Sequence, residues 1–261
     1  MSIPSQNNDL HLQEEEKENR RTRRRGREFL KALFVAVIAA LILKTFIIEA
    51  YRIPTGSMES TLLVGDYLLV NKFIYGAVTP KRIPYTEIEI PHFRFPGFRS
   101  FKRNDVVVFE FPGNRDELIA KERVNYIKRL TGLPGDTLQI RNRQLYINGE
   151  LSKNPPGVQH SKRQIRIEGE PQSRIFPPGK KWNEDNYGPI VIPYKEMILD
   201  LTIENIEEWR TVIDREFGKN AVSVEGSQIF IDGKELYSYP IKKNYLFMLG
   251  DNRDDSLDSR F

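Results

Sequence analysis

The chain has 261 residues, and its 40 Lys and Arg against 36 Asp and Glu leave a net charge of +4, too balanced for a nucleic-acid surface spread over a whole face. Cysteine is absent, which excludes a disulfide scaffold, a thiolate zinc site and a cysteine nucleophile. Of the three histidines, His11 lies in a polar tail, so a three-histidine metal site lacks its ligands. We therefore expect neither a metal nor another cofactor.

An apolar segment of 20 residues, 29–48, follows a polar N-terminal stretch. As a helix it would be about 30 Å long, which matches the hydrocarbon core of a bilayer. Six arginines precede it, namely Arg20, Arg21, Arg23, Arg24, Arg25 and Arg27. The positive-inside rule then places the N-terminus in the cytoplasm and the remaining chain across the membrane. We predict a disordered basic tail over 1–28 and a single transmembrane anchor over 29–49. A cleaved signal peptide is the competing interpretation, which the long polar stretch disfavours.

Beyond the apolar segment, short β-rich runs are separated by turn residues, which predicts a mainly β body. The clearest runs are 67–70, 106–109, 138–140 and 145–147. Residues 144–149 resemble residues 228–233, and this predicts two similar hairpins.

One soluble helix is expected between Thr202 and Gly218, which would cap its start and end it. Apolar residues recur on one face of this stretch: Ile203, Ile206, Trp209, Ile213 and Phe217. Residues 91–101 alternate aromatic residues with arginine, a pattern that fits either an exposed hairpin or a patch at the membrane interface.

Three separate stretches carry reactive side chains. Ser57 follows Gly56, whose missing side chain would let the serine hydroxyl and amide face a substrate. Lys128 lies in an apolar, strand-like run, where burial would lower its pKa toward that of a general base. Residues 250–260 hold six ionised groups and two hydroxyls, which favours a buried hydrogen-bond network.

Together these stretches resemble the motifs of the bacterial type I signal peptidases, or leader peptidases. That family shows IPSGSMxPTL, GDxxxVxKF, YIKRxxGxPGD and GDNRxxSxDSR in this order after a membrane anchor. The corresponding stretches here are IPTGSMESTL, GDYLLVNKF, YIKRLTGLPGD and GDNRDDSLDSR.

The resemblance implies a role for each matching position. Ser57 would be the nucleophile and Lys128 the general base, with the Thr55 hydroxyl and the Ser57 amide forming the oxyanion hole and Ser256 orienting the lysine amine. Two ion pairs, Asp251 with Arg129 and Asp258 with Arg260, would hold the 250–260 stretch against the Lys128 stretch. Pockets for small substrate side chains would be lined by Ile53, Pro54, Leu62, Tyr126 and Ile127.

The resemblance also implies an architecture and a setting. The fold would be mainly β, with a catalytic core from 50–75, 103–137 and 243–261 and an inserted, β-rich, non-catalytic region from 76–102 and 138–242. The activity would be that of a membrane-anchored serine endopeptidase that removes signal peptides from secreted preproteins after small residues. It would lie in the bacterial inner membrane with its catalytic domain on the outer side. Its partners would be signal peptides, membrane lipid and the translocation machinery, but no nucleic acid.

The sequence departs from the family pattern at several points. Thr55 replaces Ser, Ser60 replaces Pro and Asp255 replaces Asn. Family members continue past the position of Phe261 with a closing strand, and without it we expect an exposed strand edge. The alternative is an inactive or truncated membrane-tethered binding or scaffold protein with a peptidase-like fold. A penicillin-binding enzyme is disfavoured because it would need a lysine at Ser60.

Overall fold

The computed structural model describes residues 6–79, 88, 89, 91, 93–121 and 124–261, so His92 lies outside the described residues. The chain divides into two compact units. The first comprises Met1–Ala50 and Leu69–Ser100, and the second comprises Tyr51–Leu68 and Phe101–Phe261.

The first unit begins with a long helix, α1, Gln6–Ile42, followed by a π-helical turn, Leu43–Ile47. Within the described residues, the stretch Arg20–Ile47 is the one helix long and apolar enough to cross a membrane, and its most apolar part is not buried. The structure differs from the prediction of a disordered tail over 1–28, because this helix starts at Gln6. The tail is rich in Glu, Gln, Lys and Arg, which are good helix formers that extend a helix already nucleated.

Two strands follow, β1, Ile48–Arg52, and β2, Tyr67–Asn71, which form a two-stranded sheet. In the first unit, Val78 forms an antiparallel bridge with Arg94, and Phe73 packs edge-on against Phe98 with ring centres 5.3 Å apart. This backbone pairing agrees with the hairpin interpretation of the aromatic stretch. The membrane-interface interpretation stays a prediction.

Two antiparallel sheets of the second unit carry most of the sequence-predicted strands. One has the order β14-β4-β3 and consists of β3, Val106–Glu110, β4, Asn125–Gly132, and β14, Phe247–Leu249. The other has the order β7-β6-β5-β8 and consists of β5, Thr137–Arg141, β6, Gln144–Ile147, β7, Glu150–Leu151, and β8, Tyr187–Val191. Their apolar faces share a core in which Leu138 and Ile140 pack with Phe247 and Leu249. The predicted boundary at 138 therefore does not separate two compact units, because long-range contacts join its two sides.

The remaining elements surround a second core in the same unit. They are β9, Ile198–Asp200, α2, Ile206–Phe217, β10, Val222–Glu225, β11, Gln228–Ile231, β12, Lys234–Glu235, and β13, Ser238–Pro240. The two similar sequences do form hairpins, β5-β6 and β10-β11-β12, in separate sheets. The mainly β fold class is confirmed.

Helix α2 begins later than predicted. Its N-cap is Asn205 rather than Thr202, because the Thr202 hydroxyl and the Asn205 side-chain oxygen each accept from the other residue's amide and close a separate turn. Gly218 ends the helix in the left-handed conformation at φ 70°, as predicted.

Candidate active site

Ser57 lies in a single 3-10 turn, Gly56–Met58, that follows the extended residue Thr55. Met58, the last residue of this turn, is buried, and the Asn252 amide donates to the Ser57 carbonyl at 3.2 Å. The Asn252 side-chain amide also donates to the Gly56 carbonyl at 3.1 Å. The turn that carries the serine is therefore held by the distant segment around residue 252.

Lys128 points at this serine from strand β4, where it is paired opposite Val107. Its Nζ lies 2.6 Å from Ser57 Oγ, and only 4% of the residue is exposed. Nζ also lies 5.1 Å from the centre of the Tyr126 ring, two residues earlier on the same face of the strand. Burial lowers the pKa of Lys128, although the Asp258 carboxylate acts in the opposite direction. The amine is thus biased toward its neutral form beside a hydroxyl group.

Gly250 permits a close approach of the 250–260 segment to the serine turn. A β-carbon at this position would lie 2.2 Å from Ser256 Oγ and 2.5 Å from the Ser57 carbonyl oxygen. A side chain at this position would clash with both groups. The absence of a side chain at Gly250 therefore allows Ser256 and the Ser57 carbonyl to lie directly against its backbone.

Asp251 links three segments at the base of the site. Its buried carboxylate accepts two hydrogen bonds from the Arg129 guanidinium, at 2.8 and 2.6 Å, and one from the Thr61 hydroxyl at 2.5 Å. Its amide also lies 3.4 Å from the sulfur of Met58. The predicted ion pair with Arg129 is present and joins β4 to the 250–260 segment, with the serine loop attached through Thr61.

The second predicted ion pair, Asp258 with Arg260, is present but does not hold the 250–260 segment against β4. Both residues belong to that segment, and the guanidinium folds back onto Asp258 at 2.8 Å because they are only two positions apart. Arg260 also donates to the carbonyls of Arg253 and Glu184. Burial would raise the pKa of Asp258, but Arg260 and the Gly250 amide more than offset this and hold the pKa below its usual range. The pair therefore stabilises the segment internally.

The structure places the predicted oxyanion and orienting residues around the pair without the full set of predicted contacts. Thr55 is exposed directly before the serine turn and makes no capping hydrogen bond to it. Ser256 has a buried hydroxyl beside Gly250, and among the described residues the hydrogen bond of Lys128 Nζ is to Ser57 and not to Ser256.

The residues predicted to line substrate pockets lie in different places. Ile53 and Pro54 line a cavity of about 270 Å³ together with Arg52, Val64 and Gly65. Tyr126 stacks on Phe111, with ring centres 4.4 Å apart, and lines a larger cavity of about 470 Å³ whose wall is mostly apolar and includes Trp182 and Trp209. Leu62 and Ile127 are half-buried and line neither cavity.

One group of potential metal ligands lies outside the serine site. The ligand atoms of His160, Asp185 and Asp254 lie within 4.8 Å of one another. The Arg143 guanidinium donates to Asp185 at 2.8 Å and lies 3.9 Å from Asp254, so a positive charge of the chain itself already faces these carboxylates. The arrangement is that of a buried ion-pair network.

Two contacts that position the site do not follow from the sequence, those of Thr61 and Asn252. Thr61 and Asn252 both stand inside the quoted motifs, but only their contacts with Asp251 and with the Gly56 carbonyl give them a structural role. In the sequence, each of the two is visible only as a short polar residue within a motif. Such a residue does not reveal which group it will contact.

Comparison with known proteins identifies the family of the chain. The model of the family described as "Signal peptidase, peptidase S26" matches residues 26–261. Signal peptidase I of Pseudomonas aeruginosa is 31% identical over 235 residues, which cover 90% of this chain and 62% of that protein. Signal peptidase I of Buchnera aphidicola (subsp. Schizaphis graminum) is 32% identical over 239 residues, covering 89% and 68%, and that of Aquifex aeolicus is 28% identical over 250 residues, covering 90% and 77%. The chain thus spans about six tenths of the length of the Pseudomonas relative, and with a family match over nearly all of its own length it belongs to the S26 signal peptidase family.

Proposed function

We propose that this chain is a membrane-anchored serine endopeptidase that removes signal peptides from secreted preproteins after small residues, with Ser57 as nucleophile and Lys128 as general base. The observation that carries the proposal is the 2.6 Å contact between Ser57 Oγ and the buried Lys128 Nζ. A serine hydroxyl is a weak nucleophile until an adjacent base removes its proton, and a neutral amine can be that base.

The reaction follows from this pair. The neutral Lys128 amine takes the proton of Ser57 as Oγ attacks the carbonyl carbon of the scissile peptide bond. The Ser57 amide and the Thr55 hydroxyl would donate to the oxyanion that forms, and one such donor typically contributes about 3–4 kcal/mol. The Lys128 ammonium then protonates the leaving amine, so the peptide bond breaks and an ester on Ser57 remains. Water, deprotonated by the same amine, hydrolyses the ester and restores the serine.

The position of Lys128 supports its role as a base. Only the unprotonated amine can accept the serine proton, and burial lowers the pKa of Lys128, which increases the fraction of that form near neutral pH. Tyr126 covers the amine from one side and restricts its access to water.

The free edge of strand β4 supports binding of an extended peptide. Strand β14 pairs with β4 only from Arg129 onward, whereas β3 pairs with the other edge over Asn125–Arg129. The edge opposite β3 along residues 125–128 therefore has no strand partner among the described strands. A substrate strand added there would present alternate side chains to the site, and the small cavity beside Ile53 and Pro54 is suited to short ones.

The apolar helix supports a membrane-bound setting. A helix that includes Arg20–Ile47 is long enough to cross a bilayer, and its arginines precede the apolar part. We infer a single-pass protein of the bacterial inner membrane with the N-terminus in the cytoplasm and the peptidase on the outer side. Lipid and the translocation machinery would then be its neighbours, and signal peptides its substrates.

The test is cleavage of a secretory preprotein by the purified full chain in lipid vesicles. We expect a cut after a small residue, and we expect Ser57→Ala and Lys128→Ala each to abolish it. Lys195→Ala, which changes an exposed lysine, is the matched control and should cleave like the wild type. Near-normal turnover by Lys128→Ala would refute the general-base assignment. A wild-type chain that binds the preprotein but leaves it intact would support the non-enzymatic alternative.

A further inference from the structure

A loop segment outside the family motifs, residues 157–162, runs alongside the 250–260 segment. The Gln159 amide donates to the Asp251 carbonyl at 2.9 Å, and the Gln159 carbonyl accepts from the Arg253 amide at 3.0 Å. These two bonds form one rung of parallel β pairing, with Asn252 opposite Gln159. Gln159 is therefore fixed through its backbone to the segment whose Asn252 holds the serine turn.

The side chain of Gln159 reaches the serine loop itself. Its Oε1 accepts a hydrogen bond of 2.7 Å from the hydroxyl of Ser60, three residues after Ser57. Ser60 has φ 75°, in the left-handed region that residues other than glycine rarely adopt. Such a conformation is strained and persists only where surrounding contacts enforce it. The Gln159 amide oxygen is one such contact.

Further contacts fix the 157–162 segment on both sides of Gln159. A β-carbon on Gly157 would lie 2.2 Å from the Thr61 hydroxyl, so the segment passes very close to the serine loop at this point. On the other side, the Asp254 carboxylate accepts from the Lys162 amide at 2.7 Å and lies 3.4 Å from Nδ1 of His160. Gln159 is thus held between two anchored points.

From these contacts we propose that Gln159 is a positioning residue, which fixes the conformation of the loop carrying Ser57 by holding Ser60 in its left-handed conformation. The inference rests on the proposed function, because the purpose of the fixed loop is to keep Ser57 Oγ within reach of the Lys128 amine. Gln159 does not touch the reacting atoms. It acts through Ser60 and through its backbone bonds to the residues around Asn252.

The test removes the side-chain hydrogen bond and leaves the backbone bonds intact. Gln159→Met retains the length of the side chain but has no amide oxygen, and Gln164→Met changes an exposed glutamine of the same loop region as the matched control. Amide hydrogen exchange of the full chain in vesicles reports on the loop without any need for catalysis. We expect faster exchange over residues 57–62 in Gln159→Met, the same increase in Ser60→Ala, and no further increase in the double variant.

Cleavage kinetics provide the second readout. We expect kcat of Gln159→Met to fall about tenfold with little change in KM, because a misplaced nucleophile affects the chemical step more than binding. Gln159→Glu keeps an acceptor oxygen at this place, so at pH 8 it should retain slow exchange and most of the turnover. Faster exchange in Gln159→Glu equal to that in Gln159→Met would show that the hydrogen bond is irrelevant.

The two proposals fail separately. If the wild type does not cleave a preprotein, the proposed function is wrong, and the exchange measurement still decides whether Gln159 fixes the loop. If exchange over 57–62 is the same in wild type, Gln159→Met and Gln164→Met, the positioning role is wrong, whatever the wild type cleaves.

Discussion

Lys128 carries an amine in surroundings that disfavour its charged form, and this has a consequence for stability. The ordinary pKa of lysine is 10.5, and burial lowers it in the folded chain. Between the two values the unfolded chain binds more protons than the folded chain, so the free energy of unfolding rises with pH in that window. Below the pKa that Lys128 has in the folded chain, the charged amine is buried and the free energy of unfolding is reduced by the full cost of that burial.

We therefore expect Lys128→Met to be more stable than the wild type at pH 7, by about 1 kcal/mol. The difference should shrink as the pH rises toward 10.5. Cleavage should fall at least about a hundredfold, since the general base is removed. Urea denaturation at several pH values measures the difference in stability between Lys128→Met and the wild type. Lys195→Met, at an exposed position, should show no such pH-dependent gain. If Lys128→Met were less stable than the wild type at pH 7, burial of the Lys128 amine would not destabilise the folded chain.

Gly250 gives a second prediction for a single residue. Its φ is not in the left-handed region, so the cost of Gly250→Ala comes from contact alone, with the Ser57 carbonyl and Ser256 Oγ. We expect a loss of about 1–3 kcal/mol in the free energy of unfolding and a strong loss of cleavage. Gly26→Ala, where an added methyl meets nothing within 4 Å, is the control and should keep both properties. Wild-type cleavage by Gly250→Ala would show that the serine turn tolerates displacement.

At single positions, the sequence was most informative where motifs resembled a known family. Ser57 and Lys128 stand in separate motifs 71 positions apart, and the structure brings their side chains together. The departure at Ser60 had no explanation in the sequence. Its φ of 75° is a conformation that proline, with φ near −65°, cannot adopt. The backbone at Ser60 therefore differs from the backbone that a proline at the same position would require. Gln159 could not be predicted, because its partners lie about 100 positions away on both sides.

At the level of elements, the Arg129–Asp251 pair joins strand β4 to the 250–260 segment. Its carboxylate is fully buried and its guanidinium nearly so, with exposures of 0% and 9%. Removal of one partner would leave a buried charge without compensation, which is far more costly than loss of an exposed pair.

We expect Arg129→Met to lower the free energy of unfolding by about 3–5 kcal/mol. Lys195→Met, which breaks the exposed pair of Lys195 with Glu196, should change it by less than about 1 kcal/mol. Denaturant titration of both variants in the same detergent measures the difference. Equal effects of the two substitutions would mean that the buried pair contributes no more than a surface pair.

Element types were predicted better than element boundaries. The apolar face of α2 was visible from its spacing, whereas its start was missed because Thr202 and Asn205 compete for the same turn. The polarity of residues 1–28 predicts disorder, whereas residues 6–28 form part of α1. Their charged side chains are nevertheless good helix formers, as the Arg24–Glu28 contact one turn apart illustrates.

On the scale of the whole molecule, every residue of the candidate active site belongs to the second unit, while the apolar helix belongs to the first. The sequence predicted a mainly β body and one apolar helix, because both follow from local patterns. It could not predict how residues 138–242 divide, since the packing of Leu138 against Phe247 depends on pairings between distant strands.

The membrane setting yields a prediction for the full chain. We expect the wild type to resist extraction from membranes by alkaline carbonate, with an N-terminal tag protected from protease added outside the cell. Val37→Asp combined with Ile38→Asp should abolish stable insertion, since each central charge costs about 2.5–3.5 kcal/mol. Val37→Leu with Ile38→Leu is the matched control and should remain inserted. Carbonate extraction of the wild type into the soluble fraction would contradict the anchor.

The large apolar cavity of the second unit has a spectroscopic consequence. The chain has two tryptophans, Trp182 and Trp209, and both line this cavity of about 470 Å³. The tryptophan fluorescence of the protein therefore originates entirely at the wall of this cavity. Any small apolar molecule that enters the cavity will alter this emission directly. Tryptophan fluorescence of the wild-type chain thus reports binding in the cavity without an added dye.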